Sequence, residues 1–171
     1  MKTIYLLRHA KSSWDRPDLD DHERPLAPRG QKAAPMMGQH LGDAGLIPEQ
    51  VLCSTAERAR QTWAAVAPYL VPQPTVAYRR AIYDAEADDL LVMLQHLPDS
   101  LGSVMVVGHN PAMEELAEML IGGGDATARE RLAAKYPTAA LAEIATDAEH
   151  WADLAPGTAR LQRFDRPKDL T

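Results

Sequence analysis

The sequence predicts an α/β fold, a three-layer α/β/α sandwich whose central sheet is mainly parallel with an antiparallel edge strand. Short apolar runs with strand character alternate with segments whose apolar residues recur at helical spacing, which is typical of a parallel sheet covered on both faces. The last two predicted strands are separated by a turn at residues 155–157 and not by a helix, which predicts the antiparallel edge.

The predicted elements follow from hydrophobic periodicity and from residues that start and stop helices. Ser54 and Glu57 form a capping-box pattern at the start of the second helix. Gly45 stops the first helix, Pro111 suits a first helical position, and the glycines at 122–124 predict a helix end and a flexible loop. The predicted strands are residues 3–7, 51–53, 75–78, 103–107, 138–145 and 158–164, and the predicted helices are 30–44, 55–71, 86–97, 112–121 and 126–135.

Length and composition restrict the possible function classes. A chain of 171 residues with 46% hydrophobic and 25% charged residues predicts one globular domain over residues 1–171. The formal net charge of -6 argues against general nucleic-acid binding. No apolar run has the length of a membrane helix, and the N-terminal run is too short for a signal peptide. The single cysteine fits a reducing compartment, so we expect a cytoplasmic protein with no membrane partner.

Four polar residues follow the predicted strands at their carboxyl ends. Arg8 and His9 end the first strand, Arg58 lies in the first turn after the second strand, and His109 ends the strand at 103–107. Carboxyl ends of parallel strands share the sheet edge where open α/β sheets bind ligands, so these side chains can converge. Arginine donors match phosphate oxygens, and helix N-termini add positive potential. A neutral imidazole can attack phosphorus while a second stabilises oxygens, so this set suits a dianionic phosphoryl group.

These residues lie in motifs that resemble a known family. Arg8-His9-Ala10 resembles the Arg-His-Gly motif of the histidine phosphatase superfamily, which has the phosphoglycerate-mutase-like fold, and the similarity extends over nearly the whole chain. The small size and residues 8–12, 138–141 and 164–170 look most like the SixA-type phosphohistidine phosphatases. The further matching residues are Leu26, Arg29-Gly30, Ser54, Arg58-Ala59, Gln61-Thr62 and Gly108-His109-Asn110-Pro111.

The resemblance implies a role for each residue of the set. His9 would be the nucleophile and would carry a transient phosphoryl group, while Arg8, Arg58 and His109 would hold the phosphoryl oxygens. Water would then attack the phosphoenzyme and release inorganic phosphate. The two arginines would replace the charge of a metal ion, so that neither a metal nor another cofactor is needed.

Some positions depart from the family pattern or leave alternatives open. Many members carry an acidic proton donor after the second histidine, where this chain has the amide Asn110. Asp84 and Glu86 are the nearest candidate donors, with a loop and helix-cap pair as the alternative interpretation. Asn110, Lys11 and Ser12 are candidate substrate contacts, although a solvated position at the pocket rim is an alternative for Lys11. A phosphoramidate nitrogen leaves readily once protonated, so a weak acid favours phosphohistidine over an alkyl phosphate.

Other residues near the predicted site have two interpretations. Arg24 and Arg29 either widen a cationic rim or pair with nearby aspartates. Trp14 and Tyr83 either flank the pocket mouth or pack as ordinary side chains. Cys53 has the wrong spacing from the following arginine for a cysteine phosphatase and is predicted to be a core residue.

We therefore expect a metal-independent phosphatase that acts on phosphohistidine of a protein partner. A small-molecule phosphatase of the same fold is the first alternative. Such an enzyme usually has inserted loops that close its pocket, and the sequence has no long insertion. A module that binds phosphorylated ligands without turnover is the second alternative, and the presence of both His9 and His109 argues against it.

Overall fold

The computed structural model describes residues 1–170 and contains one seven-stranded sheet with strand order β3-β2-β4-β1-β6-β7-β5. The strands are β1 (Lys2–Arg8), β2 (Gln50–Ser54), β3 (Thr75–Arg79), β4 (Ser103–Gly108), β5 (Ile121–Gly124), β6 (Leu141–Thr146) and β7 (Ala159–Asp165). The helices are α1 (Pro28–Ala44), α2 (Glu57–Val66), α3 (Arg80–Asp84), α4 (Ala87–Gln95), α5 (Ala112–Leu120) and α6 (Ala126–Ala134). Among residues 1–170, no helix combines the length and the apolarity that a bilayer crossing requires.

The central strand β1 explains why helices cover both faces of the sheet. Ile4 and Leu6 belong to a buried cluster that includes residues of α4 and α5. Tyr5 and Leu7 belong to a second cluster on the opposite face, with residues of α1 and α2. Each such aliphatic side chain contributes about 1.5–3 kcal/mol when it is fully buried. A strand buried on both faces has a continuous apolar sequence, and the predicted three-layer sandwich is confirmed.

The strand directions confirm a mainly parallel sheet with antiparallel pairing towards one side. β3, β2, β4 and β1 run parallel, and β6 runs antiparallel to both β1 and β7. The flexible loop predicted at 122–124 is wrong, because these glycines lie in β5, which pairs with β7. A Cβ at Gly122 would lie 2.1 Å from the carbonyl oxygen of Gly157. The glycines therefore permit a close backbone approach.

Helix α1 packs its N-terminus against the segment that follows His9. The helix begins at Pro28, two residues earlier than predicted, because proline is favoured at the first helical position. It ends at Ala44, and the following Gly45 caps it in a left-handed conformation with φ 70°. A Cβ at Gly30 would lie 2.2 Å from the backbone oxygen of Lys11. Glycine is needed there so that α1 can approach this segment.

Candidate active site

Two neighbouring strands bring the predicted histidines together. In the parallel register of β1 and β4, Arg8 pairs with Gly108. The residue that directly follows each of these strands is a histidine, so His9 and His109 lie side by side with ring centroids 5.2 Å apart. Arg58 lies in the first turn of α2, after β2, which pairs with β4 on its other side. The register of the sheet therefore places all four predicted residues at one edge.

Three buried nitrogen atoms at this edge have no hydrogen-bond partner. Among residues 1–170, the buried side-chain nitrogen and oxygen atoms without a partner are Arg8 Nε, Arg58 Nε and His109 Nδ1. All three belong to the set that the sequence predicted. Buried polar groups are almost always hydrogen-bonded in folded proteins, so a cluster of unpaired ones indicates a site that is completed by a ligand.

His9 is held as a neutral imidazole. Its Nδ1 lies 2.7 Å from the carbonyl oxygen of Ala10, so Nδ1 carries the hydrogen and Nε2 keeps its lone pair. Burial lowers the pKa of His9 from 6.5 to about 3, and the positive charges of Arg58 and Arg8 lower the pKa in the same direction. An uncharged ring with a free Nε2 is the form that can act as a nucleophile at neutral pH.

His109 is oriented by the hydroxyl group of Ser54. His109 Nε2 lies 2.7 Å from Ser54 Oγ, and burial lowers the pKa of the ring to about 4. The predicted capping box of Ser54 and Glu57 is wrong. α2 has Ala56 as its N-cap, and Ser54, the last residue of β2, accepts the Ala56 N–H instead. The serine is one strand away from His109, so its hydroxyl is available to the imidazole.

Arg8 is anchored at its outer edge by the backbone. Its Nη1 donates to the carbonyl oxygen of Tyr136 at 2.8 Å, and the Asn110 side-chain amide donates to the same oxygen at 3.2 Å. The buried Tyr136 hydroxyl donates to the carbonyl oxygen of Leu6 in β1, which ties this segment to the sheet. Arginine has five N–H donors, so an anchored Arg8 keeps its Nε side available for a ligand.

Arg58 is anchored in a similar way by Asp21, in the 3-10 turn Asp21–Glu23. Its Nη1 donates to the Asp21 carbonyl oxygen at 2.7 Å, and its Nη2 donates to the carboxylate at 3.0 Å. The same carboxylate accepts the Tyr83 hydroxyl at 2.6 Å and Arg24 Nε at 3.0 Å. These donors, with Tyr83 the largest contributor, hold the pKa of Asp21 well below its usual range. Asp21 therefore fastens the loop after β1 to Arg58.

The loop after β1 is also fixed by two residues of the α2 motif. The backbone N–H of Ala10 donates to Thr62 Oγ1 at 2.9 Å, and the backbone N–H of Leu26 donates to Gln61 Oε1 at 2.8 Å. Both bonds connect α2 to the chain around the candidate nucleophile. They give a structural reason for the Gln61-Thr62 pair in this motif.

The candidate proton donors differ in their relation to His109. A cavity of about 460 Å³ is lined by His109, Asn110, Tyr83 and Glu86, among others. Glu86 also forms a capping box at the start of α4, which is the alternative interpretation as a helix cap. Its position therefore agrees with both interpretations, a candidate proton donor near His109 and a helix cap. Asp84 does not line that cavity, and its exposed carboxylate pairs with Arg80 at 3.4 Å.

The remaining predicted contacts lie at different depths. Ser12 is buried and its hydroxyl accepts a hydrogen bond from Arg24 Nη1 at 2.8 Å. Lys11 is exposed and lines a separate cavity together with Arg29. Cys53 is fully buried, and burial raises the pKa of its thiol to about 12, so its predicted place in the core is confirmed. Within residues 1–170, no cluster of three or more His, Cys, Asp or Glu side chains has a geometry suited to a metal ion.

Comparisons with known proteins agree with this geometry. A family model described as the histidine phosphatase superfamily (branch 1) matches residues 4–79. A protein of Mycobacterium tuberculosis is 39% identical over 165 residues, which cover 95% of this chain and 100% of that protein. Structures of two candidate SixA phosphohistidine phosphatases are also similar. The one from Nakamurella multipartitia has a TM-score of 0.80 at 33% identity, and the match covers 97% of this chain and 96% of that protein's chain. The one from Agrobacterium tumefaciens has a TM-score of 0.82 at 31% identity, and the match covers 97% of this chain and 98% of that protein's chain.

This chain belongs to the histidine phosphatase superfamily, in its SixA-type branch.

The SixA-type phosphatase also has site residues whose roles the sequence did not predict. Ser54 and Asp21 orient His109 and Arg58, whereas the sequence predicts a helix cap at Ser54 and gives the aspartates of the loop after β1 only as pairing partners for Arg24 and Arg29. Tyr83, for which packing was the alternative, packs edge-on against His109 with centroids 5.5 Å apart and bonds to Asp21. Two sequence features point to Ser54: it matches a motif of the family, and it directly follows a predicted strand.

Proposed function

We propose that this SixA-type phosphatase hydrolyses phosphohistidine on a protein partner through a covalent phosphoryl intermediate on His9. The observation that carries the proposal is the set of unpartnered buried nitrogens, Arg8 Nε, Arg58 Nε and His109 Nδ1. The His109 ring lies beside the His9 ring, and the charges of both arginines lower the pKa of His9. An unpaired buried polar group costs about 1–3 kcal/mol. A bound phosphoryl group would offer its oxygens to these atoms and would be attracted by the two guanidinium charges.

The proposed reaction has two displacement steps at phosphorus. His9 Nε2 forms a bond to phosphorus while the phosphorus–nitrogen bond of the substrate breaks, and that electron pair stays on the leaving imidazole nitrogen, which takes up a proton. Water then attacks phosphorus, the bond to Nε2 breaks, and its electron pair returns to the ring as phosphate and a proton are released. The low pKa of His9 supports this proposal, because the ring is an available nucleophile over a wide pH range.

The three other side chains are proposed to stabilise charge on the phosphoryl oxygens. Arg8 and Arg58 are held at their outer edges and keep their Nε sides free, which supports a role as preorganised donors. Ser54 Oγ accepts the Ala56 N–H, so its hydroxyl hydrogen can go to His109 Nε2. In that arrangement Nδ1 carries the single N–H of the neutral His109 ring and donates it to a phosphoryl oxygen. The positive charges make a metal ion unnecessary in this proposal.

The choice of phosphohistidine rests on the leaving group. The residue after His109 is an amide, and Asp84 is paired with Arg80 at the surface, so a strong acid directed at a leaving oxygen is lacking at both positions. Departure of an imidazole nitrogen needs less assistance than departure of an alkoxide. The similarity to candidate phosphohistidine phosphatases from two organisms supports the same substrate class.

The proposal is tested with two peptides of one sequence, one with phosphohistidine and one with phosphoserine at the same position. We expect the wild-type protein to release phosphate from the phosphohistidine peptide much faster. His9→Ala should abolish turnover and the acid-labile phosphoprotein that rapid quenching traps, yet it should still bind tungstate, an oxyanion, through Arg8, Arg58 and His109. His96→Ala is the control, because it removes a histidine exposed at the end of α4. Wild-type turnover by His9→Ala, or equal rates for the two peptides, would contradict the proposal.

A further inference from the structure

A second cavity at the same edge of the sheet carries five positively charged side chains. Its volume is about 220 Å³, and Ala33, Pro137 and Pro167 contribute apolar surface to its wall. No Asp or Glu is among the lining residues within the described part of the chain, although the protein as a whole has a net charge of -6. The cationic lining residues are Lys11, Arg29, Lys135, Arg166 and Lys168. We call this feature the basic cavity.

The basic cavity adjoins the candidate active site through two chain segments. Lys11 follows His9 by two residues, and Lys135 and Pro137 flank Tyr136, whose carbonyl oxygen anchors Arg8. The strand order gives the scale of the separation between the candidate active site and the far wall of the basic cavity, which is formed by residues that follow β7. β6 lies between β1 and β7, so β7 is two strand spacings from β1, or about 10 Å. An extended peptide covers that distance with about three residues.

The cations of the basic cavity differ in how far they are already neutralised. Arg166 makes a bidentate ion pair with Asp169 at 2.8 and 2.9 Å, so its charge is largely compensated. Arg29 and Lys135 are exposed, and neither has a carboxylate within 4 Å among residues 1–170. These two side chains, with Lys11 beside them, are therefore available to an anion.

Arg29 has an unfavourable position that an anion would relieve. It is the second residue of α1, where the helix dipole is positive and a cation is disfavoured. The first turn of α1 contains no acidic residue, and the N-cap Ala27 provides no side-chain acceptor. An anionic group in the basic cavity would compensate both the helix terminus and Arg29.

We propose that the basic cavity binds an acidic side chain of the phosphorylated protein, about three residues from its phosphohistidine. This proposal rests on the function proposed above and names a feature of its substrate. The volume supports a single side chain, because sites for complete small molecules usually have 300–1,000 Å³. A glutamate fits the lining, since its methylene groups can contact the apolar wall while its carboxylate meets Arg29 and Lys135.

The test compares two phosphohistidine peptides, one with Glu and one with Gln at the second to fourth positions on both sides of the phosphohistidine. For the wild-type protein we expect kcat/KM to be about five- to tenfold higher with the Glu peptide, as for two partly exposed ion pairs. The double variant R29Q/K135Q should reduce this ratio to less than about twofold. The matched control K32Q/R129Q removes the same charge from exposed positions outside the cavity and should keep the wild-type ratio.

Hydrolysis of p-nitrophenyl phosphate, which has no second anionic group, checks that each variant is folded and active. Equal kcat/KM for the two peptides in the wild-type protein overturns the inference but leaves the proposed function intact. Failure to hydrolyse either peptide, with p-nitrophenyl phosphate still cleaved, overturns the proposed function itself. If a small bisphosphate depends on Arg29 and Lys135 more than the Glu peptide does, the cavity takes a second phosphate and the inference is overturned.

Discussion

Replacing His9 with asparagine should make the stability of the protein less sensitive to acid. The folded-state pKa values of His9 and His109 are lowered from 6.5 to about 3 and about 4, so each ring is protonated first in the unfolded state. Stability is therefore full above pH 6.5 and falls as the pH decreases towards 3–4. At pH 4.5, two units below the unfolded pKa, each histidine costs about 2.5 kcal/mol. The two histidines together should lower the stability of the wild-type protein by about 5 kcal/mol between pH 7.5 and pH 4.5, and this contribution should be about half as large in His9→Asn.

Urea unfolding followed by tryptophan fluorescence measures these free energies at both pH values, since Trp63 and Trp151 are buried. The ionisation of carboxylates contributes equally to wild type and variant, so the difference between them isolates His9. His96→Asn, at an exposed site, should retain the wild-type loss. If His9→Asn loses as much stability as the wild-type protein, within about 0.5 kcal/mol, the buried neutral state of His9 is refuted.

Three further predictions concern the residues around His9. Ser54→Ala should reduce kcat/KM for a phosphohistidine peptide about tenfold, because His109 loses its hydrogen bond, and a rate within twofold of wild type would contradict this. Glu86→Gln and Asp84→Asn should each change the same rate less than about threefold, whereas a tenfold loss would identify a proton donor. Gly30→Ala should lower the free energy of unfolding by about 1–3 kcal/mol, because the added Cβ would lie 2.2 Å from the backbone oxygen of Lys11. Thermal unfolding measures this effect, and an unchanged midpoint would contradict the reasoning.

The sequence predicted the fold from the alternation of strands and helices, and it predicted the convergence of the four site residues from their positions at the carboxyl ends of these strands. Arg8, His9 and His109 directly follow apolar runs that are recognisable without a structure, and the parallel arrangement of β1 and β4 then brings them together. Arg58 follows from the same rule, one turn into the helix after β2.

The residues that the sequence did not predict depend on contacts between distant segments. Asp21 lies in a loop without hydrophobic periodicity, and only the folded chain shows that its carboxylate meets Arg58 and Tyr83. Ser54 has the local pattern of a helix cap, but a tertiary partner, His109, competes for its hydroxyl. The short strand β5 consists mainly of glycine, which has low strand propensity, and its pairing with β7 is set by backbone proximity.

The central place of β1 also determines when the site can form during synthesis. β1 leaves the ribosome before the other strands of the sheet, and both of its partners, β4 and β6, follow it in sequence by about 100 residues or more. Until β4 and β6 have been synthesised, both edges of β1 are unpaired and its apolar side chains are exposed, which favours association with other chains. Pairing between such distant segments also slows folding. A nascent chain released before β6 is complete would therefore hold the candidate nucleophile on a half-paired strand, without the Tyr136 segment that anchors Arg8.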